Sequence, residues 1–431
     1  MDTLRKWGVW TALALVLALA PWRGYAQTGQ KTRLLEWGFD QPDTAYIRKN
    51  ISAMEQSPFD GTPTPFDGVV LAAQNGSGQL LHTLFWTGVS FQQSDFQSAV
   101  NDLQATTFHY LTNNFLRVNI QNAPWFDDTY WNTILNNAGI VAWICQQGGL
   151  KGIALDTEQY NYAYHATTKT YSGAYLFCYR AVALDEQALT GRSHSFEEYV
   201  AQVRRRGYAF GKALTASYPQ MAILITHSSS EITRTVTVDA NKQVAIQPHG
   251  FNTPLQWSPV GLFPAFLDGM LEGARRSAEI VDLQEAAYPL RADDSTSTQF
   301  DRLASGVSAA RHYSQTPQLY ASRLSFGFGL WMNYQELYSD GQGMRLRFGW
   351  DPQNTDNNYF TPNAFRQALE AALSTTNHYV FIYTESGYQV DASGHIVYDA
   401  QGNPVRTPVS WWTGGGLSQD YVSQVQKAHP H

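Results

Sequence analysis

Lys151-Gly-Ile-Ala-Leu-Asp-Thr-Glu-Gln-Tyr160 is an apolar run of strand length that ends in acids. In an extended chain successive side chains alternate, so Asp156, Glu158 and Tyr160 share one side while Leu155 and Thr157 face the other. Ile153, Ala154 and Leu155 are too apolar for an exposed strand. A buried strand whose carboxyls emerge together at its C-terminal end is therefore expected. A salt-bridged strand end at the surface is the plainer alternative.

Outward from this strand the same unit repeats: a short β-branched or aromatic run, then a stretch with helical periodicity. Strands are expected at Thr32 to Phe39, Asp67 to Ala73, Phe115 to Ile120, Lys151 to Leu155, Met221 to Thr226, Glu279 to Gln284, Leu319 to Leu330 and Tyr379 to Tyr383. Helices are expected from Asp43 or Thr44 to Gln56, Asp95 to Thr106, Asp127 or Asp128 to Gln147, and Phe196 to Ser217. Four more follow, at Phe263 to Arg276, Thr298 to Tyr313, Pro362 to Ser374 and Ser418 to Lys427. Thr233 to Ile246 reads as an inserted hairpin. Tyr388 to Trp412 reads as a second one, with turns at Ala392 to Gly394 and Gln401 to Asn403.

Eight strand–helix units without a dividing linker are the pattern of an α/β chain closed as a single (β/α)8 TIM barrel, with hairpins inserted in its loops. An open doubly wound sheet is the competing architecture. Asp40, Gln41 and Pro42 follow the first strand where a dinucleotide fold would carry glycines, so nucleotide cofactors are not expected.

In such a barrel the site is built at the C-terminal ends of the strands. Five of the eight expected ends carry an acid or a histidine: Asp40, Asp156 with Glu158, His227, Glu285 and Glu385. Clustered carboxyls repel one another. That cost makes sense where one must stay protonated while another is ionised. The aromatic residues Trp37, Trp125, Tyr160, Tyr288, Trp331 and Trp412 fall near the same ends, as does Asn333. Rings stack on the apolar faces of pyranoses, and amides and acids bind the hydroxyls.

Strand four followed by Asp156-Thr-Glu158 resembles the catalytic strand of chitinase-like and endo-β-N-acetylglucosaminidase-like (β/α)8 glycoside hydrolases. The resemblance implies that Glu158 is the general acid and that Asp156, two residues before it, orients an acetamido group. It also implies a supporting role for Tyr288. The longer acidic series of chitinases is absent, since Lys151 and Gly152 stand where earlier acids would lie, and Gln284-Glu285-Ala286-Ala287-Tyr288 departs from the usual motif. The broader resemblance is to carboxylate-pair glycosidases. With Glu158 as acid, Glu285 and Glu385 compete for the second role. The nearer strand six favours a nucleophile and retention, and the opposite strand eight favours a water-activating base and inversion.

Composition narrows the classes. The chain has 431 residues, 43% hydrophobic, 14% aromatic and 15% charged, with a formal net charge of −7, which gives no electrostatic footprint for nucleic acid. The histidines show neither a His-x-His nor a His-Glu-x-x-His spacing, so no metal is expected. No Gly-x-Ser-x-Gly elbow suggests a serine esterase. Residues 1–26 read as a signal peptide: Arg5 and Lys6, an apolar run from Trp7 to Ala20, and the small-residue site Gly24-Tyr25-Ala26. The run is shorter than the roughly 20 residues that span a bilayer. A secreted or periplasmic protein, free of the membrane after cleavage, is expected. The remainder, 27–431, is then one catalytic domain, ending in the hairpin and helix of about 388–431. In that setting Cys145 and Cys178 fit either a disulfide or two buried thiols.

The function expected from sequence is a secreted glycoside hydrolase acting on a poly- or oligosaccharide, without cofactor. The alternative is a noncatalytic carbohydrate-binding barrel.

Overall fold

A computed structural model describes residues 31–159, 163–249, 254–292, 296–391 and 393–431. Eight parallel strands close into a ring: β1 (Arg33–Glu36), β2 (Gly68–Leu71), β3 (Phe115–Asn119), β4 (Gly152–Asp156), β5 (Ala222–Ile225), β6 (Glu279–Gln284), β7 (Leu324–Trp331) and β8 (Tyr379–Tyr383). Closure is made by β1 against β8, with Arg33 opposite Tyr379 and Glu36 opposite Ile382, while β1 also pairs β2. The protein is a (β/α)8 barrel. The expected signal peptide and Tyr160 lie outside the described residues, and so does Ala392 in the tail turn.

Alternation along each strand sorts the core into two layers. Leu35, Val70, Ala154, Leu224, Val281 and Phe381 point inward and pack together in the lumen. Their neighbours Leu34, Val69, Ile153, Ile223, Ile280 and Val380 point outward into a larger core shared with the helices. Because side chains from opposite strands fill the lumen, the site can form only above it.

Side-chain caps set the helix starts. Asp43 accepts from Tyr46 N, Asp127 from Tyr130 N and Thr361 from Ala364 N. Ser195 and Glu198 form a reciprocal capping box at the head of Phe196–Ser217. These caps stand where the expected boundaries do.

One expected strand changes, and two loops carry elements the sequence did not announce. Leu319 to Leu330 is not one strand: Pro317–Arg323 is a helix with Pro at its first turn, and the strand begins at Leu324. Proline has no N–H for a strand ladder but is preset for a helix start, so it opens a turn of helix that buries Tyr320. The loop after β4 carries a hairpin, Ala163–His165 with Thr170–Ser172, and a helix, Tyr179–Thr190. A further hairpin pairs Glu336–Ser339 with Met344–Phe348 beyond β7. Both expected hairpins form, one from Arg234–Val238 and Val244–Pro248, the other from Gly387–Tyr388 and Arg406–Thr407. Cys145 and Cys178 are each buried as thiols, and Cys145 Sγ donates to Gly152 O at 3.3 Å. No helix among the described residues is long and apolar enough to cross a membrane.

Candidate active site

Asp156 is the last residue of β4, and Glu158 follows on the same side. Asp156 is nearly buried and fully engaged. Its Oδ2 accepts from Arg117 Nη2 at 3.1 Å and Asn119 Nδ2 at 3.0 Å, and its Oδ1 accepts from Glu158 N at 3.1 Å. Arg117 and Asn119 alternate on β3 exactly opposite this register, Asn119 facing Asp156 across the ladder. Asp156 therefore fixes the backbone that carries Glu158, while Glu158 stands partly exposed in the cleft.

From β5 and β6 come the partners. His227 follows β5, and its Nε2 lies 2.9 Å from Glu285 Oε2 and 3.9 Å from Glu158 Oε1. On its other edge Nδ1 meets Glu231, one turn further along. Burial alone would push the imidazole down, but Glu231 and Glu285 outweigh it and hold His227 well above its ordinary value. His227 is thus a cation wedged among carboxylates. Glu158, His227 and Glu285 each place one ligand atom within 4.8 Å of the others, the only such trio suited to a metal ion among the described residues.

Tyr288 completes the centre. It is half-buried, stacks on Tyr383 at 5.4 Å, meets Trp331 edge-on at 5.8 Å and lies near enough to Glu285 to feel its charge. Burial, and then the Glu285 charge, hold its phenol well above the ordinary range, so it stays a donor. Its room comes from β7: a Cβ on Gly329 would sit 2.4 Å from Phe381 Cζ and 2.9 Å from Tyr288 Cε1.

The cleft above these groups has two lobes. One, of about 750 Å³, lies over the β5–β7 side and reaches Trp257 and the Arg234–Val238 hairpin. The other, of about 600 Å³, lies over β8, β1, β2 and β3, reaching Trp37, Phe39, His82 and Glu385. Glu158, Glu285, Tyr288 and Trp331 line both. His82 is pushed down to about 4 by burial and by Arg117, so it presents a neutral ring.

Several expected ligands stand elsewhere. Trp125 is buried, stacks on Trp131 at 4.9 Å and donates its Nε1 to Leu176 O: it is core. Trp412 is likewise buried and packs edge-on against Phe66 at 6.3 Å. Asp40 turns toward the tail, accepting from Trp411 N at 3.0 Å, with buried Glu36 beside it. Asn333 is buried and brackets Glu385, donating to its carbonyl at 2.5 Å and accepting its N–H at 3.0 Å. Glu385 does line the cleft, but it is paired with Arg406 from the tail hairpin. Burial raises its carboxyl and Arg406 pulls it back. Trp37, His227, Tyr288 and Trp331 all reach the cleft. Sequence reasoning did not single out Arg117, Asn119 and Glu231. Polar residues at alternate positions of β3, and an acid four residues after His227, were the available signals.

No family model and no curated protein matches the chain. Among solved structures it is similar to an O-GlcNAc hydrolase mutant from Thermobaculum terrenum, at 8% identity and a TM-score of 0.33, covering 83% of this chain and 54% of that one. It is similar to a GH18 chitinase from Pseudoalteromonas aurantia at 9% identity and 0.34, covering 82% and 94%. It is also similar to a D-allulose 3-epimerase from Methylomonas sp. at 11% and 0.38, covering 93% and 98%. The chain thus spans about half the length of the first of these.

Proposed function

We propose that the protein is a glycoside hydrolase in which Glu158 is the general acid and Glu285 the nucleophile, acting with retention of configuration. The observation that carries this reading is the approach of the two side chains, whose carboxylate oxygens lie within 4.8 Å of one another across a shared cleft. Retaining enzymes hold their carboxyl groups roughly 5–5.5 Å apart, and inverting ones leave about 6.5–9.5 Å for a water. His227 Nε2, 2.9 Å from Glu285 Oε2, suits a carboxylate that must attack as an anion.

In the first step Glu285 forms a bond to the anomeric carbon as the glycosidic C–O bond breaks, and Glu158 gives its proton to the departing oxygen. In the second, water loses a proton to Glu158 and displaces Glu285. Asp156 is a positioning residue here. Both its oxygens are taken by Arg117, Asn119 and Glu158 N, so it is not arranged to hold an acetamido group. This departs from the role that the chitinase-like resemblance implies for Asp156.

The test is a polysaccharide panel with the product anomer read by NMR within the first minutes. Retention is expected, and Glu158→Gln should abolish reducing-sugar release while saccharide binding persists. Initial inversion would move the second carboxylate role away from Glu285. Binding without turnover by the unaltered protein would favour a noncatalytic carbohydrate-binding barrel.

A further inference from the structure

We infer that the substrate is an uncharged polysaccharide bound across the centre of the barrel mouth and cut internally. This inference rests on the hydrolase reading. Its first support is where the acids stand relative to the space. Glu158 and Glu285 line both lobes, so they sit at the waist of the cleft and not at the floor of a blind pocket. A pocket closed on one side would admit only a chain end. A cleft open on both sides of the reacting bond lets sugars continue in each direction.

Each lobe is large enough for this. At about 750 Å³ and 600 Å³, each falls within the roughly 300–1,000 Å³ that encloses a small organic ligand. Each also carries an exposed aromatic. Trp257 is 57% exposed on the β5–β7 side, with the Arg180 guanidinium 5.0 Å from its ring centroid. Phe39 is 58% exposed on the β1 side, with Arg406 at 5.6 Å. Large rings left in water beside a cleft are natural platforms for pyranose faces. The charge of the lining selects the chain. Its charges are paired within it, Asp156 with Arg117, Glu385 with Arg406, and Glu231 and Glu285 with His227, while Arg234 turns to the Arg302 carbonyl, so these cations are already engaged and do not form a cluster that would hold a polyanion.

The experiment follows viscosity and reducing ends together on neutral glucans, mannan, xylan and chitin, with polygalacturonate as the charged comparison. Internal cutting should drop viscosity before many reducing ends appear. Release of only mono- or disaccharides at constant viscosity would overturn this inference and leave the hydrolase reading standing. Preferred cleavage of polygalacturonate would also overturn it. Absence of turnover on every polymer would remove both. With an end-labelled hexasaccharide of the cleaved polymer, Trp257→Ala and Phe39→Ala should shift the cut position in opposite directions, changing product ratios by about two- to tenfold. Shifts in the same direction, or none from either variant, would overturn the two-sided arrangement.

Discussion

The ends of β4 and β6 and the ends of β8 and β1 carry the same kind of residue in opposite surroundings. Glu158 and Glu285 look at each other across open space, with one histidine between them and Glu231 behind it. Glu385 is already neutralised by Arg406, and Glu36 is buried against Asp40 beneath the tail. The difference arises from what the chain after each strand brings back. After β5 it returns a second acid, Glu231, and leaves the cleft negative. After β8 it returns an arginine from an inserted hairpin and closes the charge. An acid at a strand end is therefore a catalytic candidate only when its neighbouring loop leaves it facing substrate.

The largest effect tests this contrast directly. Glu158→Gln and Glu285→Gln should each lower kcat/KM by about 10³-fold or more, and Glu385→Gln by about tenfold, measured on one cleaved polysaccharide. Comparable losses at all three positions would erase the distinction.

Stability separates a further acid, Asp282, from these three. Asp282 points away from the lumen, where Ser228 donates to it, and burial first of all pushes its carboxyl up to about 6. Its folded value lies above its ordinary one, so its contribution to stability is full below about pH 4 and lost as pH rises through about 6. The cost above that is about 3 kcal/mol. Glu36, also held above its ordinary value by burial and by Asp40, acts with the same sign. Urea unfolding at pH 4 and pH 8 should show the protein less stable at the higher pH. Asp282→Asn should remove most of the Asp282 share of that slope. An unchanged slope in the variant would mean that Asp282 does not titrate in this range.

Gly329→Ala probes the support beneath the site. The added methyl would press on Phe381 and Tyr288, an overpacking of about 1–3 kcal/mol. Because Tyr288 lines the cleft together with Glu285, turnover should fall more than the loss of stability explains. A drop in thermal midpoint with unchanged kcat would show that Tyr288 does not govern Glu285.

Much of the fold was legible because alternation and capping are local. β6, β8 and the helix Phe196–Ser217 stand at their expected boundaries, and Asp43 and Asp127 cap the helices they precede. The candidate site was legible only in part. Glu158 and Glu285 follow from strand ends, but Arg406 reaches Glu385 from 21 residues on, and Trp125 and Trp412 were drawn in by nearness in sequence alone. Whether an aromatic beyond a strand faces substrate or core depends on how its loop folds back. In this chain hairpins and tail decide that, and their packing has no periodic signal.

The smallest expected effect is also the sharpest on the second carboxylate. Arg406→Gln removes the cation from Glu385 while leaving Glu158, Glu285 and His227 untouched. The pair is only partly shielded, with the Arg406 side chain 27% exposed and that of Glu385 10% exposed, so its loss should cost about 1 kcal/mol of stability. With Arg406 gone, burial acts on Glu385 without its counterweight, and its carboxyl should move further up. If Glu285 is the nucleophile, kcat should stay within a few-fold of the parent, with the pH–rate profile keeping its shape. If Glu385 were the base of an inverting enzyme, its raised value would move the acid limb of that profile upward in pH and lower kcat at neutral pH. The profile of this one variant, recorded beside the product anomer, therefore assigns the second carboxylate by a route independent of removing either glutamate.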